Sequence, residues 1–312
     1  MNFSPLSIGW LDSLLWNTKI CFLLFSVALQ LSSSSPLIAQ PADSHAIVAM
    51  VSIQPQEWLV EQIGGDRVEV AALVGPADSP ATFQPTDAQM TRLMSSDIFF
   101  TIGVPFEQGR WLEAVKASGR VPVVDTSEGI VRIPFGVEVS DSPRRQDLDP
   151  HIWLSPSLLK IQAATIAGEL SIADPGSASF FDSNLRRLES ELDDVDRRIE
   201  SRLSLFHGDA FFVFHPSLGY FAQEYGLRQV AIEIEGKEPS DRELTALQRE
   251  ARELNVRTIF VQEQIHSRSA DAVAAAVGAR VVLINPLERD VLSNLTAVSD
   301  LLVNALQEGP VS

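Results

Sequence analysis

Two short segments, each built around a histidine, hold the residues best suited to bind a metal ion. The first is 149–156, Asp-Pro-His-Ile-Trp-Leu-Ser-Pro, and the second is 214–220, Phe-His-Pro-Ser-Leu-Gly-Tyr. Their histidines, His151 and His215, fall where a loop leads into a predicted helix. Imidazole is a common ligand of zinc and related ions. If a cleft brings the two histidines together, they predict a metal site.

Three further polar residues, Glu107, Glu263 and Asn285, each follow a predicted strand. In open α/β sheets, ligands bind beyond the carboxyl ends of the strands. A carboxylate such as Glu263 can complete a zinc site, whereas the neutral amide of Asn285 binds zinc less well. We therefore treat Glu263 and Asn285 as candidate metal ligands beside the two histidines.

The neighbours of His151 have expected roles of their own. Asp149, two residues before it, can orient the imidazole by a hydrogen bond. Trp153 is expected to pack rather than to bind metal. The other three histidines are interpreted as surface residues, although His266 could reach the ion from its loop; they are His45, His207 and His266.

Short apolar strands alternate with helices from about residue 46 onward. The predicted strands fall into two groups of four, at 46–53, 67–74, 97–103 and 121–125, then at 210–214, 229–234, 258–262 and 280–284. This alternation is typical of a parallel sheet that is covered by helices. We predict an α/β fold with two Rossmann-like lobes, each a four-stranded, mainly parallel sheet, and a cleft between them.

One long predicted helix, 180–205, carries charges on most of its turns and would run roughly 40 Å. Such a helix can join two lobes, or it can be an ordinary surface helix. The prediction places a signal segment and mature N-terminus, an N-terminal lobe, a connecting helix and a C-terminal lobe at 1–42, 43–176, 177–207 and 208–312.

The composition excludes some partners. The chain has 312 residues, 45% of them hydrophobic, with 24 Lys and Arg against 41 Asp and Glu, a formal charge of −17. A surface with that balance repels nucleic acid and anionic lipid and mildly attracts cations, or is simply solvated. We therefore expect a folded protein that binds no nucleic acid.

The N-terminus has the pattern of a secretory signal. Lys19 precedes an apolar run at 20–31, which is shorter than the roughly 20 residues that span a bilayer. Cleavage is expected near Ala39 or Ala42, with retention as an anchor as the alternative. Cys21, the one cysteine, is not in a lipid-attachment context. These features predict a periplasmic or secreted protein that is not a lipoprotein.

Several motifs together resemble the zinc/manganese solute-binding proteins of bacterial ABC importers. They are Ser-Ile-Gln-Pro at 52–55, Ile-Gly-Gly-Asp-Arg-Val at 63–68, the stretch 101–107, Asp-Pro-His-Ile-Trp-Leu at 149–154, Phe-His-Pro at 214–216, the stretch 232–240 and Asn-Pro-Leu at 285–287. The resemblance covers the chain from about residue 46. It implies two lobes with a rigid connecting helix, a metal ion in the cleft, and delivery to a membrane permease with its ATPase subunit.

The resemblance carries over only part of the ligand set. His151 and His215 match the second and third ligands, and a histidine at position 215 resembles the zinc branch. The motif of the first ligand is intact at 80–86, but Ala81 replaces its histidine. The fourth ligand, an aspartate, is replaced by Asn285. The stretch 131–148 is polar and is predicted to be a surface loop. It contains no histidine, whereas zinc members often have a histidine-rich loop there.

These features predict a monomeric receptor that binds Zn²⁺, or Mn²⁺ or another divalent ion, through His151, His215, Glu263 and Asn285. Two imidazoles and an amide leave the charge of the ion uncompensated unless the carboxylate of Glu263 reaches it, so weak or absent binding is expected. The alternative is a degenerate receptor that acts as a sensor or protein-interaction module. We expect no enzyme activity, because the chain has no serine-elbow or His-Glu-x-x-His motif and no cysteine after Cys21.

Overall fold

The computed structural model describes residues 46–135, 148–233, 237–265 and 268–308. The strands within these ranges are β1 (Ile47–Val51), β2 (Val68–Ala72), β3 (Ile98–Thr101), β4 (Val123–Asp125), β5 (Ala210–Val213), β6 (Arg228–Ala231), β7 (Thr258–Gln262) and β8 (Arg280–Ile284). The helices are α1 (Gln54–Gly64), α2 (Asp87–Leu93), α3 (Arg110–Ser118), α4 (Pro156–Ala173), α5 (Ala178–Leu203), α6 (Gly219–Glu224), α7 (Asp241–Glu253), α8 (Arg268–Val277) and α9 (Val291–Gln307).

The strands form two four-stranded sheets, in the orders β2-β1-β3-β4 and β6-β5-β7-β8. Every strand pair is parallel. The predicted fold class is therefore confirmed. We call β1 to α4 the N-terminal lobe and β5 to α9 the C-terminal lobe; the boundaries at 176 and 207 stay a prediction.

Helices cover both faces of the C-terminal sheet, as the alternation along β5 illustrates. Phe211 and Val213 belong to a large apolar core that also contains residues of the N-terminal lobe. Phe212 and Phe214 point to the other face and pack in a second cluster with residues such as Val273 of α8. Because successive side chains of a strand alternate between faces, a run of phenylalanine and valine can fill both cores.

The long helix α5 has 26 residues and packs on α1 and α4 of the N-terminal lobe and on α9 of the C-terminal lobe. It thus touches both lobes, in agreement with the connecting role. Its apolar stripe recurs at helical spacing and consists of Phe181, Leu188, Leu192, Val195, Ile199 and Leu203, all buried. The remaining faces carry charged residues, which explains the polar pattern of the sequence.

Strand β3 ends at Thr101, two residues earlier than predicted. The backbone turns at Gly103, whose φ of 84° lies in the left-handed region that glycine adopts without strain. This turn lets the N–H groups of Ile102 and Gly103 donate to the carboxylate of Glu107, at 3.0 and 2.7 Å. The loop beyond the strand is therefore held by a buried side chain.

No helix in the described part of the chain is both long and apolar enough to cross a bilayer. The predicted signal segment at 1–42 lies outside the described residues. So does most of the predicted polar loop at 131–148, of which residues 136–147 are not described.

Candidate metal site

The structure brings His151 and His215 together from the two lobes, with 5.2 Å between their ring centroids. His151 lies just before a short 3-10 turn, Ile152–Leu154, that leads into α4. His215 lies two residues beyond the end of β5. Each imidazole is thus fixed at the end of a regular element, where the backbone restricts its position.

Each histidine is hydrogen-bonded to a carboxylate through Nδ1. In His151, Nδ1 lies 2.7 Å from Oδ1 of Asp149, and the same oxygen accepts the backbone N–H of His151 at 2.9 Å. In His215, Nδ1 lies 3.0 and 3.2 Å from the two carboxylate oxygens of Glu233. A carboxylate on one ring nitrogen fixes the tautomer and leaves Nε2 to bind a metal. The role predicted for Asp149 is therefore present in the geometry.

Glu233 was missed by the sequence prediction as a partner of His215. It lies 18 positions from the histidine, beyond the end of β6. Its backbone N–H donates to the carbonyl of Phe214 at 2.9 Å, which continues the parallel pairing of β5 and β6 past the strands. That pairing places the carboxylate beside the imidazole. The motif 232–240 contained the residue but did not indicate its contact.

These two carboxylates change the expected charge of the site. The side chains of Asp149 and Glu233 are only 1% and 9% exposed, so both lie at the histidines and not in bulk water. Together they place two negative charges next to the imidazoles, where the charge of a divalent ion would otherwise be uncompensated. Burial lowers the pKa of His151, although Asp149 acts in the opposite direction. This direction favours the neutral ring, which is the form that binds a metal ion.

Aromatic rings enclose the pair. The ring of Phe135 lies 5.9 Å from His151 and 5.3 Å from His215, and Trp153 lies 5.1 Å from His151. Trp153 is buried and donates its indole N–H to the carbonyl of Pro286 at 2.7 Å, which agrees with the predicted packing role. Phe135 was not predicted, because it lies in a stretch that was interpreted as a surface loop.

Asn285 is already engaged in hydrogen bonds. Its Oδ1 accepts from Nε2 of Gln264 at 2.9 Å and from the backbone N–H of Leu287 at 3.1 Å. Glu263, at the end of β7, is exposed, and its backbone N–H donates to Ile284 at 3.1 Å. The assignment of Glu263 and Asn285 as metal ligands stays a prediction.

Within the described ranges, no group of three or more His, Cys, Asp or Glu side chains is arranged to hold a metal ion. His207 is about half exposed, as predicted for a surface residue. His45 and His266 lie outside the described residues. The site that the structure describes therefore consists of two imidazoles with their carboxylates.

The loop of Ala81 keeps its anchoring contacts. The backbone N–H of Phe106 donates to Pro80 at 3.2 Å, and the rings of Phe83 and Phe106 meet edge to face at 5.2 Å. Ala81 itself is exposed. A cavity of about 540 Å³ lies in this loop, and its lining is Asp78, Ser79, Thr82, Phe83, Gln84, Thr86 and Gln89. The loop therefore has a defined shape although residue 81 offers no ligand atom.

The hydrogen bonds of Glu107 lie within the N-terminal lobe and not at the histidines. Its carboxylate accepts hydrogen bonds from Ser52 Oγ and from the two backbone N–H groups at the end of β3. Burial raises the pKa of Glu107 to about 6, against the lowering effect of those hydrogen bonds. Through these hydrogen bonds, Glu107 connects the segments that follow β1 and β3.

The chain is similar to known proteins over most of its length. The family model described as the periplasmic component A of zinc-uptake complexes (ZnuA) matches residues 49–305. A putative metal-binding protein of Chlamydia muridarum is 30% identical over 251 residues, which are 80% of this chain and 88% of that protein. The high-affinity zinc uptake system protein ZnuA of Bacillus subtilis is 26% identical over 279 residues, 86% of each chain.

Solved structures agree with this similarity. A crystal structure of ZnuA is 40% identical, with a TM-score of 0.77, and the match covers 84% of this chain and 100% of that one. A zinc-bound deletion mutant of ZnuA is 39% identical, with a TM-score of 0.78, over 85% of this chain and 100% of that one. The similarity therefore includes both lobes.

Proposed function

Because this chain belongs to the family of periplasmic zinc-uptake components, we propose that it is the solute-binding receptor of an ABC-type metal importer. Its cargo is a divalent cation, which binds in the cleft between the lobes. Zn²⁺ is preferred to Mn²⁺. The observation that carries the proposal is the pair His151 and His215, in which each Nδ1 is held by a carboxylate and each Nε2 is left to bind an ion.

The choice of zinc follows from the ligand atoms. Imidazole nitrogen suits zinc, whereas manganese prefers sites that are richer in carboxylate oxygen. Asp149 and Glu233 contribute charge through the imidazoles instead of through direct bonds. Zinc is mostly four-coordinate, so solvent or a further protein group completes the coordination of an ion held by two histidines.

The finer features of the proposal come from the family. The receptor works in the periplasm after removal of its signal segment, as a monomer, and passes the ion to a permease that is driven by an ATPase subunit. It performs no catalysis. A site with two strong protein ligands would release its ion more readily than one with four, which suits a carrier that must give up its cargo.

A second function has an observation in its favour. Two ligand positions have lost their expected side chains, at Ala81 and Asn285, and the amide oxygen of Asn285 already accepts two hydrogen bonds. A receptor that has lost metal binding could act as a sensor or protein-interaction module on the same frame. The two functions differ in whether the purified protein binds zinc.

Isothermal titration of the metal-stripped protein with Zn²⁺ and Mn²⁺ tests the proposal. We expect zinc binding in the native chain, loss of at least about a hundredfold in affinity in His215→Ala and in His151→Ala, and no change in His207→Ala. The last variant is the matched control, because His207 is an exposed histidine of the same chain. Absence of zinc binding in the native protein at micromolar concentration would contradict the metal-receptor function and favour the second one.

A further inference from the structure

A turn of the C-terminal lobe, residues 285–289 after β8, connects to the N-terminal lobe at two places. We call it the cleft turn. The carbonyl of Pro286 accepts the indole N–H of Trp153, and Arg289 forms ion pairs with Glu61 and, at 3.9 Å, with Glu57 of α1. The cleft turn therefore lies against the opposite lobe.

Gln264 makes a third connection through the first residue of this turn. Its Nε2 donates to Oδ1 of Asn285 at 2.9 Å and to the carbonyl of Pro76, in the N-terminal lobe, at 3.4 Å. Both partners are hydrogen-bond acceptors, so only the NH₂ end of the carboxamide fits between them. The other end, Oε1, is buried and has no partner among the described residues. The orientation of Gln264 is thus set by the two acceptors.

We propose that Gln264 and Asn285 form an interlobe clasp, in which Asn285 holds Gln264 against Pro76 and does not bind the metal ion. The inference rests on the proposed function, because it concerns the fourth ligand position of the same site. It assigns a new role to the residue that stands there and a positioning role to Gln264.

The chemistry of Asn285 fits a clasp better than a ligand. Its amide oxygen accepts two hydrogen bonds, and coordination of an ion would compete with both of them. Its Nδ2 lies 3.4 Å from Oε2 of Glu288, to which it can donate. An aspartate at position 285 would instead face this carboxylate with a like charge. The neutral amide of Asn285 can accept through Oδ1 from Gln264 and Leu287 and donate through Nδ2 to Glu288.

The indole N–H of Trp153 reports on the clasp in the metal-free protein, because it bonds across the lobes to the cleft turn. We would measure its hydrogen exchange by NMR and identify its signal with Trp153→Phe. Gln264→Ala should speed this exchange roughly two- to tenfold, the effect of losing the one hydrogen bond that Gln264 forms with the opposite lobe. Gln264→Glu, nearly isosteric, places an oxygen against both acceptors and should speed it at least as much. Gln307→Ala, an exposed glutamine in α9, is the control.

Zinc titration then shows whether Asn285 acts through the clasp or as a metal ligand. If Asn285 acts through the clasp, Asn285→Ala and Gln264→Ala should each lower zinc affinity by a similar factor, roughly two- to tenfold. The double variant should lose no more than either single variant, since both remove the same contact. A loss above about a hundredfold in Asn285→Ala, with little change in Gln264→Ala, would identify Asn285 as a ligand and overturn the inference.

The receptor function and the clasp can be refuted separately. If the native protein binds no zinc, the proposed receptor function fails, while the exchange of the Trp153 indole in the metal-free protein still decides the clasp. If zinc binds but the Gln264 variants exchange at the native rate, the clasp is wrong and the receptor function stands.

Discussion

The two lobes contribute equivalent halves of the site by different routes. In the N-terminal lobe, Asp149 and His151 are two residues apart, and a local turn is enough to join them. In the C-terminal lobe, Glu233 reaches His215 from the adjacent strand, 18 positions away. Both lobes therefore contain an imidazole that is hydrogen-bonded to a carboxylate. In the N-terminal lobe the two residues are close in sequence, whereas in the C-terminal lobe the pairing of adjacent strands brings them together. The first half can be predicted from spacing, and the second cannot.

Removal of each carboxylate tests this difference between the lobes most directly. We expect Asp149→Ala and Glu233→Ala each to weaken zinc binding by about ten- to a hundredfold, because the imidazole loses its orienting partner. The loss should be larger for Asp149, since its Oδ1 also accepts the backbone N–H of His151. Zinc titration of both variants measures the difference.

Conservative variants show whether orientation or charge matters. Asp149→Asn and Glu233→Gln keep a hydrogen-bonding oxygen and remove the negative charge. If they bind zinc as tightly as the native chain, charge compensation by the two carboxylates is not part of the mechanism. Equal losses in the two alanine variants would mean that the backbone contact of Asp149 adds nothing.

Position 81, where the family resemblance implies a histidine ligand, allows a gain of function. Ala81→His restores a ligand side chain on an anchored loop of the N-terminal lobe, and we expect zinc affinity to rise by about tenfold or more, that is about 1.4 kcal/mol. Titration beside the native chain provides the measurement. A control variant, Ala81→Phe, adds a ring of comparable size without a ligand atom. An equal gain in both variants would attribute the effect to packing and not to coordination.

Substitution of Gly219 tests how closely the two halves of the site approach each other. A Cβ atom there would lie 2.5 Å from Oδ2 of Asp149 and 3.2 Å from Cδ1 of Ile133. Gly219→Ala should therefore displace the carboxylate of the N-terminal lobe, lower the free energy of unfolding by about 1–3 kcal/mol and weaken zinc binding. Urea unfolding and zinc titration measure the two effects.

The matched control for Gly219 is Gly168→Ala. Gly168 lies in α4, and a Cβ atom there would meet nothing within 4 Å. It should stabilise the protein by about 0.5–1 kcal/mol through higher helix propensity and leave zinc binding unchanged. Unchanged zinc binding in Gly219→Ala as well would show that Asp149 can move without cost to the site.

The buried carboxylate of Glu107 allows a prediction about stability. It accepts hydrogen bonds from Ser52, Ile102 and Gly103, in contrast to Asp149 and Glu233, which contact imidazoles. Its pKa is raised from 4.5 to about 6 in the folded protein, so the folded state binds a proton more tightly than the unfolded state. Its contribution to stability is therefore present below about pH 4.5 and is lost as the pH rises through about 6, by about 2 kcal/mol.

Urea unfolding of the metal-free protein at pH 4.5 and at pH 7 measures this change. In Glu107→Gln the difference in unfolding free energy between the two pH values should shift by about 2 kcal/mol relative to the native chain. An identical pH dependence in both proteins would show that Glu107 does not titrate in this range.

Much of the fold was predictable from local patterns. The alternation of apolar strands and helices gave two parallel four-stranded sheets, and the predicted and observed strands at 258–262 and 280–284 coincide. The apolar stripe of α5 is equally local, because it repeats at helical spacing. Strand ends were less predictable. The end of β3, for example, depends on a left-handed turn at Gly103 that Glu107 stabilises from four residues away.

Periodicity and short spacing along the chain were enough to predict the α/β class, the two histidines as candidate ligands and the carboxylate next to His151. Three contacts could be seen only in the folded protein: Glu233 with His215, Phe135 with both imidazoles, and Gln264 with Asn285 and Pro76. The physical reason is that these contacts join segments far apart in the chain. Sheet pairing and the meeting of the lobes set their distances, and no local pattern encodes them.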